Sequence, residues 1–510
     1  MKLSSSSSTE GKGILARNTL VNVMGRGIPL LFAVIAIPFV IDGLGTERFG
    51  VLTIVWIVIG YFGLFDMGLG RATTKFVADE EARGGEQLSP IIITSILLLI
   101  AFGVVGGMLI TIATPYLVED LLNIPQGLTG ETQKAFYILS ASIPLVLGSV
   151  GARGVLEAQQ RFTLVNAVKI PASTINYVGP LLVLPFSNQL HHVVLLLALG
   201  RAVSFVIYLY YSWQGQEYIS PSEYPFVRWA KELLSFGAWL TISNFISPIM
   251  VYMDRFILGA ILTMSAVAYY TTPYEMVTRL GIISSGFMGV MFPAFSVYSL
   301  KDDEKLVALH QKSIRYLFLA MVPIVTFLIL TAEPLLYYWL GSEFAENSTL
   351  VLQILAAGVL INSIAMVPST AIQAVGRPDI RAKLHMVELP IYLALIWFLA
   401  RSIGVVGVAV AWVLRVAIDG AMLLYFCNRL IPFMRHSRKV LFRQLLGYVI
   451  LFGLLLTGYY FIVDRIFLLA FGGMSAVLSF FLLWSYTLRE EERNRIMNLY
   501  HELKEHVLSR

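Results

Sequence analysis

Five arginines stand inside long apolar runs of this 510-residue chain: Arg26, Arg201, Arg255, Arg279 and Arg415. Four acids share that setting (Asp254, Glu275, Glu388 and Asp419), and a further one, Asp66, lies near the end of a run. A charge held away from water is costly unless a partner or a ligand neutralises it, so such residues are functional candidates by default. Spacing sorts them. Glu275 and Arg279 are four residues apart, as are Arg415 and Asp419, and side chains at that spacing can meet on one helix face. Asp254 and Arg255 are adjacent, point in different directions, and are expected to find partners elsewhere. Arg26 and Arg201 have no acid at helical spacing. A guanidinium without an acidic neighbour is suited to gripping an anion through paired hydrogen bonds. The competing reading is that all these charges are satisfied between helices and serve packing alone.

The elements that must carry them are helices in a bilayer. Hydrophobic residues make up 57% of the chain and charged ones 14%, with mean hydropathy +0.75. Soluble domains carry about 25% charged residues, which excludes an ordinary globular enzyme. A single cysteine, Cys427, excludes a disulfide framework and any cysteine-based metal cluster. No GxxxxGK[ST] phosphate loop is present, so nucleotide hydrolysis on this polypeptide is not expected, and neither is a cofactor. His501-Glu502 and His506 superficially resemble a zinc-binding helix. The two histidines are five apart rather than four, off a common face, and no metal site is expected there.

Fourteen apolar runs are bounded by charge or by Pro/Gly turns: 15–41, 49–71, 89–113, 133–153, 164–186, 191–212, 235–259, 267–298, 314–332, 349–375, 384–400, 404–428, 443–463 and 466–487. The expected fold is an all-α integral membrane protein, since about 20 apolar residues are needed to cross the hydrocarbon. An even number of spans puts both termini on one side. Of the 37 Lys and Arg, 28 fall on that side, span ends included; four (Arg48, Lys134, Arg401, Arg465) fall in turns on the other. Positive charge marks the cytoplasmic face, so both termini are expected in the cytoplasm, and the net charge of +5 is no nucleic-acid signal. Residues 1–13 are Ser-rich and expected to be disordered. Residues 488–510 read as a cytoplasmic amphipathic helix.

The long polar stretch 213–234 divides the chain where a two-lobed transporter would need a linker. Glu157-Ala158-Gln159-Gln160-Arg161-Phe162 has a counterpart in Gln373-Ala374-Val375-Gly376-Arg377-Pro378. Lys169-Ile170-Pro171 matches Glu388-Leu389-Pro390, and Gly200-Arg201-Ala202 matches Leu414-Arg415-Val416. Three matches in order, offset by 216, 219 and 214 positions, predict a duplicated six-span lobe. The expected domains are 14–212, the linker 213–234, 235–428, and two additional spans within 429–487. Six spans is an even number, so the copies should be parallel.

One stretch also carries a family likeness. Leu44-Gly45-x3-Phe49-Gly50, then a span, then Phe65-Asp66-x-Gly68-Leu69-Gly70-x-Ala72 resembles the opening of polysaccharide-export proteins. These belong to the multidrug/oligosaccharidyl-lipid/polysaccharide (MOP) transporter superfamily, and the resemblance points to its flippases for undecaprenyl-diphosphate-linked oligosaccharides. It implies a flippase of the cytoplasmic membrane, working by alternating access with a central cavity between spans 1–6 and 7–12. Its implied partners are a lipid-linked oligosaccharide for O-antigen or other surface polysaccharide, membrane lipids, H+ or Na+ as coupling ion, and the polymerase or export machinery. Arg26, Arg201, Arg279 and Arg415 become candidates for the diphosphate. Asn22, Asn176 and Asn244 become candidates for sugar hydroxyls, although intramembrane amides more often bridge helices. Asp66, Asp254, Glu275 and Asp419 are candidate ion sites, with a cap or a bridge to Arg71 or Lys75 as the plainer role for Asp66.

Three other functions compete. A drug/cation antiporter of the same superfamily should show a cavity dominated by carboxylates, which the five arginines against four mid-span acids disfavour. A lipid II flippase would also need a cationic cavity, and the sequence separates the two poorly. A glycosyltransferase or polymerase would need a large outer loop, yet the longest outer segments are Thr114 to Thr132 and Glu333 to Ser348. An enzyme is therefore not expected.

Overall fold

In hydrocarbon every backbone donor and acceptor must be satisfied within its own segment, and the structure answers with helices joined by short turns. The computed structural model describes residues 27–64, 66, 68–214, 226–431 and 435–488, with isolated positions 490, 492–494 and 497. Along 61–64, 236–248, 435–445 and 460 it describes the backbone alone. The Ser-rich start, Asn22, Arg26, residues 215–225 of the stretch 213–234 and the tail with His501 and His506 lie outside the described residues.

The helices are α1 (Gly27–Leu44), α2 (Thr46–Leu64), α3 (Leu69–Arg83), α4 (Leu88–Pro115), α5 (Gln126–Ala158), α6 (Phe162–Val183), α7 (Leu190–Trp213) and α8 (Phe226–Ile261). They continue as α9 (Met264–Thr278), α10 (Gly281–Lys301), α11 (Asp303–Leu330), α12 (Ala332–Leu340), α13 (Ser342–Ala374), α14 (Asp379–Leu430), α15 (Arg435–Tyr460) and α16 (Arg465–Thr487). Nine helices among the described residues are long and apolar enough to cross a membrane. The long α14 is two helices, because Ile403 and Gly404 leave helical geometry (Gly404 φ 63°) where the sequence divides spans eleven and twelve.

Two of the expected spans are not single helices. The run 49–71 ends early at Leu64, and α3 starts afresh at Leu69. The run 267–298 is broken between Thr278 and Gly281. The polar segments 114–132 and 333–348 also hold structure that hydropathy does not show, a π-helical turn at Tyr116–Leu121 and the short α12.

The duplication is visible element by element. Helices α4 and α11 are both 28 residues long and start 215 positions apart (88 and 303). Helices α5 and α13 are both 33 residues long and start 216 apart (126 and 342). Each repeat breaks its second span. The turns after α5 and α13 agree bond for bond: Arg161 N donates to Leu156 O at 2.9 Å and Arg377 N to Ile372 O at 3.1 Å. Gln160 and Gly376, 216 positions apart, are both left-handed (φ 56° and 77°). This 6→1 bond closed by a left-handed residue is the usual way to end a helix.

The chain forms two compact units that meet in sequence between Ala268 and Tyr269. In the first unit, α4, α5 and α3 surround an apolar core of Leu69, Ala72, Leu99, Ile143, Leu147 and Leu233. Leu233 belongs to α8, which packs on α2, α3 and α4 within this unit. Asn123 N donates to Gly259 O at 2.8 Å and fixes the end of α8 to the turn before α5. At Gly50 a Cβ would stand 1.9 Å from the carbonyl oxygen of Met264, so only glycine lets α2 meet the start of α9. Close backbone approach through small residues is how helices hold together in lipid, where hydrophobic burial gives little. In the second unit, the largely buried α11 packs against α10, α13, α15 and α16. The two helices outside the repeat are thus seated on it, and Arg465 Nε reaches Glu333 Oε1 at 2.8 Å. Between α10 and α11, Asp302 caps the Lys305 N–H at 3.0 Å. The Lys305 side chain holds that carboxyl below the usual carboxylate range.

A side chain in the left-handed region costs about 1–2 kcal/mol, against roughly 0.5–1 kcal/mol for the extra chain entropy of glycine. Gln160→Gly is therefore expected to stabilise the protein by up to about 1 kcal/mol and Gly376→Gln to destabilise it by a similar amount. Thermal unfolding of the purified protein in detergent measures both.

Candidate functional site

The arginine Arg201 sits in mid-α7, partly buried, and its Nη2 donates to Asn176 Oδ1 of α6 at 3.2 Å. Its side-chain partner among the described residues is thus neutral, which leaves the guanidinium charge uncancelled locally. Arg415 occupies the same register in the second repeat, but its Nη1 lies 4.0 Å from Glu388 Oε2. The sequence paired Arg415 with Asp419 one turn along its own helix; the structure turns it instead toward the preceding helix half. The ring of Tyr392 lies 5.2 Å from the guanidinium.

Asp254 and Arg255 are a correction to the sequence expectation. Although adjacent, they meet each other: Arg255 Nη1 lies 3.1 Å from Asp254 Oδ1, with both side chains 0% exposed. The aspartate also accepts the Arg255 backbone N–H at 2.9 Å, and the guanidinium reaches back to the Val251 carbonyl. The arginine side chain folds back along the helix, which lets neighbours in sequence pair. Glu275 and Arg279 do meet, at 2.7 Å, both exposed, across the break after α9.

Asp66 stands in the break between α2 and α3. Its Oδ1 accepts from Gly68 N at 3.0 Å and its Oδ2 from Gly70 N at 2.9 Å. A helix that starts inside a membrane leaves N–H groups without acceptors, and a carboxylate supplies them while facing the positive end of the helix. Gly68 is left-handed (φ 69°), as the turn demands. The Asp-x-Gly-x-Gly part of the motif is thus a helix start. Asn244 lies on α8, with its side chain outside the described residues, and Asn22 and Arg26 lie outside them altogether.

With these placements in view, comparison with known proteins gives the context. A family model described as polysaccharide biosynthesis protein matches residues 15–299. The putative O-antigen transporter of Shigella flexneri is 33% identical over 416 residues, which cover 82% of this chain and 98% of that protein. The chain belongs to the polysaccharide biosynthesis protein family. A probable low-salt glycan biosynthesis flippase of Haloferax volcanii is 23% identical, over 79% of this chain and 82% of its own length. Among solved structures, the inward closed lipid II flippase MurJ matches at TM-score 0.66 with 14% identity, over 92% of this chain and 98% of that one. An inward-facing multidrug resistance MATE transporter of the MOP superfamily matches at 0.67 with 16% identity, over 81% and 99%. The fold is therefore that of the MOP superfamily, and the protein is a multi-pass membrane protein.

Nothing in helical spacing marks His385 as a site residue, and Glu388 stands out in the sequence only as one of four mid-span acids. One signal was available: the matching motifs Lys169-Ile170-Pro171 and Glu388-Leu389-Pro390 carry opposite charges at one register. The first unit there is basic; the second is acidic.

Removing one partner of a fully buried ion pair strands the other charge at a cost of about 3–5 kcal/mol. Asp254→Ala is expected to lower the thermal stability of the detergent-purified protein by that order. Adding Arg255→Met to the same variant should recover most of the loss.

Proposed function

We propose that this protein is a flippase that carries an undecaprenyl-diphosphate-linked oligosaccharide across the cytoplasmic membrane for surface polysaccharide assembly. The observation that carries the reading is Arg201, a guanidinium in mid-membrane beside a neutral amide. A diphosphate is the ligand such a group suits best, because its oxygens accept parallel N–H bonds and cancel the charge. Asn176 then holds the arginine in place, and Arg26, Arg279 and Arg415 are further candidates for the head group. The lipid tail stays in the bilayer while the polar head passes by alternating access, with 14–212 and 235–428 acting as the two lobes.

The names of the Shigella and Haloferax relatives support this reading over drug efflux. The excess of Lys and Arg on one side supports cytoplasmic termini. Delivery of the head to the outer side hands the oligosaccharide to the polymerase or export machinery. An ion gradient supplies the drive, since the chain has no phosphate loop for nucleotide.

Arg201→Ala is expected to insert and fold but to lose transport. In a strain lacking its own O-antigen flippase, surface glycan should fall at least about tenfold relative to wild type, the effect of losing roughly 1.4 kcal/mol or more of binding to the head group. Full surface glycan from that variant, at equal protein level in the membrane, would rule the assignment out.

A further inference from the structure

The two halves of α14 bring three ionisable side chains together in the second unit. His385 and Glu388 come from before the turn at Ile403–Gly404, and Asp419 from after it. One ligand atom of each lies within 4.8 Å of the others. Glu388 is 7% exposed and Asp419 5%. Among the described residues, neither oxygen of Glu388 has a hydrogen-bond partner, nor does Oδ1 of Asp419. The ion pair of Glu388 is the one to Arg415, at 4.0 Å, too long for a hydrogen bond. Buried carboxylate oxygens are almost always satisfied, so an unsatisfied pair of acids marks a missing ligand.

We propose that Glu388 and Asp419 share one exchangeable proton, with His385 as the group that passes it in and out, and that this cluster is the coupling site of the transporter. Two carboxylates this close repel strongly in a medium of low dielectric. A proton held between them removes one charge and supplies the missing hydrogen bond at once. The charged groups that act on the cluster are Arg415, from the second half of α14, and Arg381, one turn before His385. Arg381 Nη1 donates to Ser369 Oγ of α13 at 3.1 Å. The facing stretch of α13, Ser363 to Ile372, contains no ionisable residue, and Tyr392 sets its ring against Arg415. A metal ion would have to enter against two guanidinium groups. A proton needs only a free carboxylate lone pair.

The repeat explains what the proton controls. Where the second unit has Glu388, the first has Lys169, and where the second has Arg415, the first has Arg201. With both acids ionised, their two negative charges balance Arg415 and Arg381, and the cluster offers little to an anion. One shared proton leaves a single positive charge in excess beside Arg415, so that this register matches Arg201 and favours the diphosphate. That second step rests on the flippase reading above; the proton site itself stands on the geometry of α14.

The test is the infrared carboxyl band of the full-length protein in lipid, titrated in H2O and D2O. Wild type should show a protonated carboxyl that disappears as pH rises, and Glu388→Gln and Asp419→Asn should each abolish that titration. Arg415→Gln, which leaves both acids in place, should move the loss upward by about one pH unit or more, because a neighbouring cation favours the ionised form. An unchanged titration in Glu388→Gln and Asp419→Asn overturns the proposal. So does equilibrium binding of sodium or zinc by wild type that these variants abolish. If the band behaves as expected while Arg201→Ala still delivers full surface glycan, the flippase reading falls and the proton site stands. If the band does not respond to pH while Arg201→Ala loses transport, the proton site falls and the flippase reading stands.

Discussion

The whole structure depends on one constraint: no water is available in hydrocarbon to satisfy a stray polar group or charge. Where the backbone stays helical the condition is met automatically. Where it does not, a specific device appears. Asp66 takes up two N–H groups at the start of α3, and the turns after α5 and α13 close with the same left-handed hydrogen-bonded geometry. Asp254 and Arg255 fold onto one another in the dry interior of the first unit. Among the described residues, Arg201 and the Glu388–Asp419 pair escape this pairing, and they are the ones to which we assign a function.

Duplication gave the protein two copies of one scaffold, and divergence gave the copies different electrostatics. Helix lengths, span breaks and turn geometry are kept between α4 and α11 or α5 and α13, because packing in lipid tolerates little change in shape. The side chains at matched registers changed sign, Lys169 against Glu388. One scaffold with two charge patterns suits the proposed carrier, with an anionic cargo and a proton as its drive. The paired arginines Arg201 and Arg415 show the same divergence, one beside an amide and the other beside an acid.

The family motif acquires a physical meaning in this setting. Gly50 is required by the carbonyl of Met264, and Gly68 by the left-handed turn that follows Asp66. The residues by which the family is recognised are thus those that break and repack the second span. They hold the scaffold and leave other side chains to meet a ligand. This separation lets one fold serve glycan carriers and other transporters alike.

By itself the sequence determined the all-helical membrane class, most of the apolar runs and the repeated motifs, and it gave an expectation for which side each terminus faces. Apolar length, the side preference of Lys and Arg, and matched short motifs are local or additive properties. The break near Arg401 and the one at Asp464 were legible because Gly404 and Asp464 stand at them. Glu275 and Arg279 meet as their spacing predicts, but tertiary structure decided how the other charges pair. Arg415 turns from Asp419 to Glu388, Arg255 takes its neighbour, and His385 joins two acids across a helical turn. Helical spacing fixes which side chains share a face; whether a long guanidinium reaches along its own helix or over to the next depends on the packing of that next helix, which no local spacing contains. The breaks between Leu64 and Leu69 and after Thr278 were hidden for a related reason: an apolar run reads the same to hydropathy whether its helix is whole or divided.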